Sequence, residues 1–122
     1  MILHITSKQE WLDAQKRGEY LAPSLETEGF IHCSTERQVL PVANAFYRGR
    51  NDLVLLKLDE ATLKPELKWE APAGPLAAGI PESDLFPHIF GPINITAVAS
   101  VLDFEPDSAT GTFSLPSLIT DH

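Results

Sequence analysis

Cysteine occurs once, at Cys33, which excludes an internal disulfide framework and any Cys-rich metal motif. Basic residues are scarce, with nine Lys plus Arg against 17 Asp plus Glu and a formal net charge of -8. Proteins that hold nucleic acid through its phosphates need a basic footprint, and the basic residues gather only in pairs such as Arg48 with Arg50, so nucleic acid is not the expected partner. A small anion is not excluded, since two arginines or a helix N-terminus can hold one phosphate. No apolar run approaches the roughly 18 residues of a membrane span. Lys8 and Glu10 interrupt the opening "MILHITSKQE", where an export signal would need an apolar stretch. No membrane partner is expected, and the reducing cytoplasm is the expected location. G-x-S-x-G, P-loop and G-x-G-x-x-G patterns are missing too, which removes the support for serine-hydrolase, nucleotide-triphosphatase and Rossmann readings.

What is present is ordinary globular composition, 43% hydrophobic and 21% charged over 122 residues, enough for one core. A single domain spanning 1–122 is expected. "ILHIT" predicts a first strand with Ile2, His4 and Thr6 on one face. "SKQEWLDAQKRG" predicts a helix capped by Ser7 and Glu10 and stopped at Gly18, docking through Trp11, Leu12 and Ala14. "EYLAPSLETE" reads as loop and "GFIHCS" as the next strand. Thr35 with Gln38 caps a second helix carrying Val39, Val42, Ala43 and Phe46 at helical spacing, which Pro41 should kink or delay. "DLVLLKLD" is apolar on both faces and should be a central strand, and "LKWEA" another. Pro72 to Pro81 is an uncharged loop long enough to be functional or merely slack. In "LFPHIFGPIN", Pro87 and Pro92 should confine the strand to an edge or a strand end. "TAVASVLDF" and "GTFSLP" complete the set, with a loosely held tail after Pro116. The sum is an α+β domain of about six strands and two main helices.

Three of the four histidines, His4, His32 and His88, fall in short extended segments; His122 at the terminus is read as incidental. A strand histidine is commonly a satisfied structural residue. Three converging imidazoles would describe a zinc site, yet no pair has a short ligand spacing, so no metal is expected. In "GFIHCST", period two puts His32 and Ser34 on one face and Ile31 and Cys33 on the other. Cys33 then reads as packing, not as a nucleophile. Glu70, beside Trp69, is either an exposed strand-end carboxylate or a general acid in an apolar setting. Tyr20 and Ser24 either line a pocket or belong to a turn.

At "GFIHCSTERQV" and "FPHIFGPIN", together with "ILHIT", "GEYLAPSL", "QVLPVANAFYRG" and "DLVLLKLD", the chain resembles the small bacterial proteins grouped as domain-of-unknown-function family 952. That resemblance implies an ADP-ribosyltransferase-like split β-sheet whose cleft holds NAD in active relatives, and it extends to the RNA 2'-phosphotransferases. It implies His4 as a ribose contact, His32 with Ser34 at the second motif, and His88 with Phe90 at the third. His88 stands where active protein ADP-ribosyltransferases place a glutamate. The implied function is binding of NAD or a related nucleotide, with transfer of ADP-ribose to a small phosphorylated or unknown acceptor. The alternatives are a non-catalytic binding or interaction domain and a three-histidine metal enzyme. The expected catalytic residues are His32, His88 and Glu70; the expected ligand contacts are His4, Tyr20, Ser34 and Phe90; NAD is the expected substrate.

Overall fold

The computed structural model describes residues 1–116, so the expected loose tail and His122 lie outside the described residues. In chain order it contains β1 (Ile2–Ser7), α1 (Lys8–Arg17), β2 (Glu19–Tyr20), α2 (Ser24–Thr27), β3 (Ile31–His32), α3 (Glu36–Phe46), β4 (Leu53–Leu58), β5 (Leu67–Glu70), β6 (Phe86–Ile89), β7 (Ile93–Asn94) and β8 (Val98–Phe104). Among the described residues no helix is long and apolar enough to cross a membrane.

The strands form a split sheet in three antiparallel pieces, ordered β1-β4-β8, β3-β6-β5 and β2-β7. A bridge between Leu3 and Ser34, with paired 2.8 Å backbone bonds, stitches the first two pieces together. β4 is buried along its whole length, as its two-faced apolar run requires. Val54, Leu56 and Leu58 pack with Ile2, Ala14, Ile31 and Ile89 on one side. Leu53 and Leu55 pack with Leu3, Val39, Ala43 and Phe104 on the other.

Both main helices begin where their caps place them. Ser7 accepts from the Glu10 amide at 3.0 Å, and Gly18, at φ 93, closes α1 by donating to the Ala14 carbonyl at 2.8 Å. Ala14 is fully buried and Trp11 packs against the core, but Leu12 is exposed, so the docking stripe is narrower than expected. The Thr35/Gln38 capping box is complete, and α3 starts directly after it and runs through Pro41.

Two strand expectations need correction and a third is narrowed. β2 and β7 are two-residue strands that pair only with each other, too short to leave a period in the sequence. α2 likewise is a single turn inside the segment read as loop. Of the two placements expected for the proline strand, an edge or a strand end, β6 is the middle strand of its sheet, with Pro87 one residue from its start. It tolerates Pro87 because that residue's carbonyl side faces Cys33, just past the end of β3. N–H and C=O point the same way in an antiparallel strand, so the missing donor costs the ladder little. "GTFSLP" forms no strand among its described residues. Its alternation instead buries Phe113, stacked on Phe104 at 4.6 Å with its amide donating to Asn44 Oδ1 at 2.7 Å.

Gln38 joins the two halves of the site. Its side chain accepts from the Thr35 amide at 3.1 Å and donates to Asp84 Oδ2 at 3.2 Å and the Leu85 carbonyl at 2.8 Å, while the residue is 2% exposed. Gln38→Ala would empty a buried site and remove the bonds that tie the turn after β3 to the approach to β6. Equilibrium denaturation is expected to show a loss of about 2 kcal/mol; a loss within the range of an exposed substitution would contradict this bracing role.

Candidate functional site

β3 and β6 lie side by side with Ile31 opposite Ile89 and His32 opposite His88. The two imidazoles therefore meet, with centroids 5.7 Å apart and planes at 72°. Each has its own carboxylate. His32 Nε2 is 2.9 Å from Glu28 Oε2, with both side chains about 42% exposed. His88 Nδ1 is 2.9 Å from Glu70 Oε1, with the imidazole 3% and the carboxylate 42% exposed. Since an ionised carboxylate only accepts, the histidine nitrogen carries the proton in both pairs. The Phe30 ring stacks on His88 at 4.2 Å and tilts against His32 at 4.9 Å, fixing both ring planes.

Behind this cluster is a cavity of about 260 Å³, bounded by Leu3 and Ile5 of β1, by α3 and by the Pro72–Ala77 stretch. The uncharged loop is thus a cavity wall. Its far end is fixed by Ala77 and Ile80, which are buried with Phe86. His32, Ser34 and His88 all line the cavity. Among the described residues nothing partners the Ser34 hydroxyl or His88 Nε2, yet no buried side-chain nitrogen or oxygen lacks a partner. Both atoms therefore keep an opening to accessible space, and their residues place that opening at the cavity.

His4 and Tyr20 are elsewhere. Leu3 and Ile5 face the cavity, so the strand period turns His4 to the opposite face with Ile2. There His4 Nδ1 is 2.6 Å from the His32 carbonyl and Nε2 is 2.7 Å from the Tyr20 hydroxyl, which is 2.9 Å from Thr6 Oγ1. Proton counting orients this chain. A carbonyl can only accept, so Nδ1 donates. Burial lowers the His4 pKa from 6.5 to about 4, so Nε2 is unprotonated at neutral pH and takes the one Tyr20 hydroxyl proton. The Thr6 hydroxyl lies between the Tyr20 oxygen at 2.9 Å and Glu10 Oε1 at 3.4 Å. With both ring nitrogens engaged, His4 serves as a buried tether between β1 and the backbone of His32.

Of the other candidates, Glu70 is not in an apolar setting: it is half exposed and bonded to His88, while Trp69 is exposed. Phe90 packs on Phe30 at 5.4 Å, below Lys68 Nζ at 5.0 Å, and does not line the cavity. Ser24 opens α2. Ile31 and Cys33 are buried, but Cys33, expected on the face away from His32 and Ser34, lines the cavity with them; burial pushes its thiol well above the usual range, which keeps it from acting as a thiolate. Among the described residues no group of three or more His, Cys, Asp or Glu side chains is arranged to hold a metal.

Glu28, Phe30 and Tyr47 were not singled out from sequence. Tyr47 lines the cavity, and burial raises its phenol pKa. Glu28 lies four residues before His32, a spacing that signals pairing only on a helix, and this segment is none.

The family model described as "Protein of unknown function (DUF952)" matches residues 5–101, and that span includes every site residue above except Leu3 and His4. The chain belongs to this family. Among solved structures, a crystal structure of protein CC0527 from Caulobacter crescentus is 31% identical, with 93% of each chain covered and a TM-score of 0.78. A double mutant of that protein gives 30%, 93% of each chain and 0.78. Its solution NMR structure gives 30% identity, 89% of this chain and 88% of that one, and a TM-score of 0.71. A search of curated proteins finds no match. The DUF952 fold is thus shared over nearly the whole length of both chains.

Proposed function

We propose that this DUF952 chain is a small-molecule-binding domain whose cavity takes the nicotinamide and ribose end of NAD or a related nucleotide. The observation that carries the reading is the pair of open polar atoms, Ser34 Oγ and His88 Nε2, in a largely apolar recess that also has His32 and Tyr47 on its wall. Few, well-placed polar groups in an apolar recess are the usual form of a small-ligand site. The nucleotide identity comes from the resemblance to ADP-ribosyltransferases and is an analogy at the level of fold. A volume of about 260 Å³ suits one heterocycle with its sugar. The diphosphate would run out over the mouth, because no Lys or Arg is among the lining residues to pair with it. Turnover would break the nicotinamide glycosidic bond through an oxocarbenium-like state held by the pocket's electrostatics. A domain that binds without reacting is the competing outcome.

Thermal unfolding of the full chain with NAD, ADP-ribose, nicotinamide and NADP tests this. NAD and nicotinamide are expected to raise Tm with concentration, NAD reaching about 2.7 kcal/mol at a hundredfold excess over Kd. ADP-ribose, lacking the base, should act weakly, and His88→Ala should cancel the NAD effect. No stabilisation by any of the four would refute the nucleotide reading.

A further inference from the structure

We infer that His32 and His88 form an acid–base pair that moves protons on a compact, uncharged carbonyl compound seated in the cavity, a use of the site independent of the nucleotide reading. The two imidazoles are register partners on neighbouring strands with centroids 5.7 Å apart. At that separation both rings can reach adjacent atoms of one small substrate, each at hydrogen-bond distance of roughly 3 Å. Their carboxylates hold opposite nitrogens, Glu28 on Nε2 of His32 and Glu70 on Nδ1 of His88. The neutral rings are therefore opposite tautomers, leaving Nδ1 of His32 and Nε2 of His88 for a substrate. Phe30 packs against both rings and holds their planes, while the carboxylate bonds fix which nitrogen faces which way.

The substrate class follows from the wall. Among the described residues no Asp, Glu, Lys or Arg side chain lines the cavity, so an anionic substrate would lose its hydration without a counter-charge, whereas an uncharged one would not. The open Ser34 hydroxyl suits a neutral carbonyl oxygen. Nε2 of neutral His88 takes a proton from the carbon next to the carbonyl. The C–H electron pair becomes the C=C bond of the enol, and the carbonyl π pair moves onto oxygen. That oxygen receives the Nδ1 proton of the His32 imidazolium, whose charge Glu28 balances. Return of a proton from His88 to carbon, and of the oxygen proton to His32, restores both rings. The net result is exchange or isomerisation, with no other reactant. Glu28 and Glu70 are positioning residues, since each acts through its histidine.

Two measurements on the full chain test the pair. In histidine-labelled protein above the imidazole titration range, 15N NMR is expected to show His88 protonated on Nδ1 and His32 on Nε2; the same tautomer on both rings would overturn the proposal. In D2O, exchange of the α-hydrogens of cyclohexanone, followed by proton NMR, should run on the order of 10²-fold faster than with an equal concentration of free imidazole. His88→Ala should return the rate to that of imidazole, and His32→Ala should lower it at unchanged KM. Glu70→Ala should lower kcat and shift the His88 tautomer together. A wild-type rate no greater than that of imidazole would also overturn the proposal, whatever the nucleotide titrations give.

Discussion

Replacing His4 by alanine is expected to destabilise the fold by about 4 kcal/mol, the largest single-residue effect among the site candidates. The ring is buried and both its nitrogens are bonded. Truncation leaves the His32 carbonyl without its donor, leaves the Tyr20 hydroxyl with Thr6 as its one partner and opens a void beside Cys33, whose sulfur lies 3.9 Å from Nδ1. Tyr20→Phe keeps the packing and removes only the donor to Nε2, so it should cost about 2 kcal/mol. Urea unfolding of both variants separates the contributions. If His4→Ala unfolds within 1 kcal/mol of the parent, which is about the cost of an ordinary surface change, the tether has no energetic weight. Because His4 holds the backbone of His32, the same variant should also broaden the NMR signals of His32 while leaving α1 ordered.

Acidification is expected to remove about 3 kcal/mol of stability between pH 6.5 and pH 4, through His4 alone. The sign follows from linkage. Burial holds the folded pKa at about 4 against 6.5 in the unfolded chain, so in that window the unfolded state binds more protons and stability rises with pH. The contribution is complete above 6.5, is lost progressively as pH falls, and levels off below about 4, where the folded ring is protonated too. The difference between 6.5 and about 4 corresponds to roughly 3 kcal/mol. Unfolding free energies measured at intervals across the window, in the parent and in His4→Gln, isolate the effect. The glutamine variant should be flatter by that amount, and parallel curves would show that His4 is not held neutral.

Local features of this fold were legible because they depend on neighbours in sequence. The Ser7 and Thr35 caps, the Gly18 stop and the two-faced apolar run of β4 each report nearest-neighbour or short-period physics. Period two also grouped His32 with Ser34, but it did not say what they face, and Cys33 between them lines the cavity as well. His4 could not be assigned that way either. The period groups it with Ile2 and Thr6 but does not say which face of β1 meets α3, and the structure turns Leu3 and Ile5 toward the cavity. Glu70 was marked for its apolar neighbour, whereas its carboxylate is engaged by an imidazole from the adjacent strand. Pro87 pointed to an edge or a strand end because proline's missing donor is usually a cost; it sits one residue inside β6, past the end of the short β3.

By itself the sequence determined an α+β chain with two capped helices, a buried central strand and a polar face on the "GFIHCST" segment, since periodicity and capping are written within a few residues. Tertiary structure alone decided that β3 pairs with β6 so that His32 meets His88, that Glu28 and Glu70 orient the two rings, and that His4 is a tether facing away from the cavity. Strand register and the choice of buried face are properties of the whole packed core. They arise from contacts between segments far apart in the chain, and no local pattern encodes which of two equally periodic faces the core will claim.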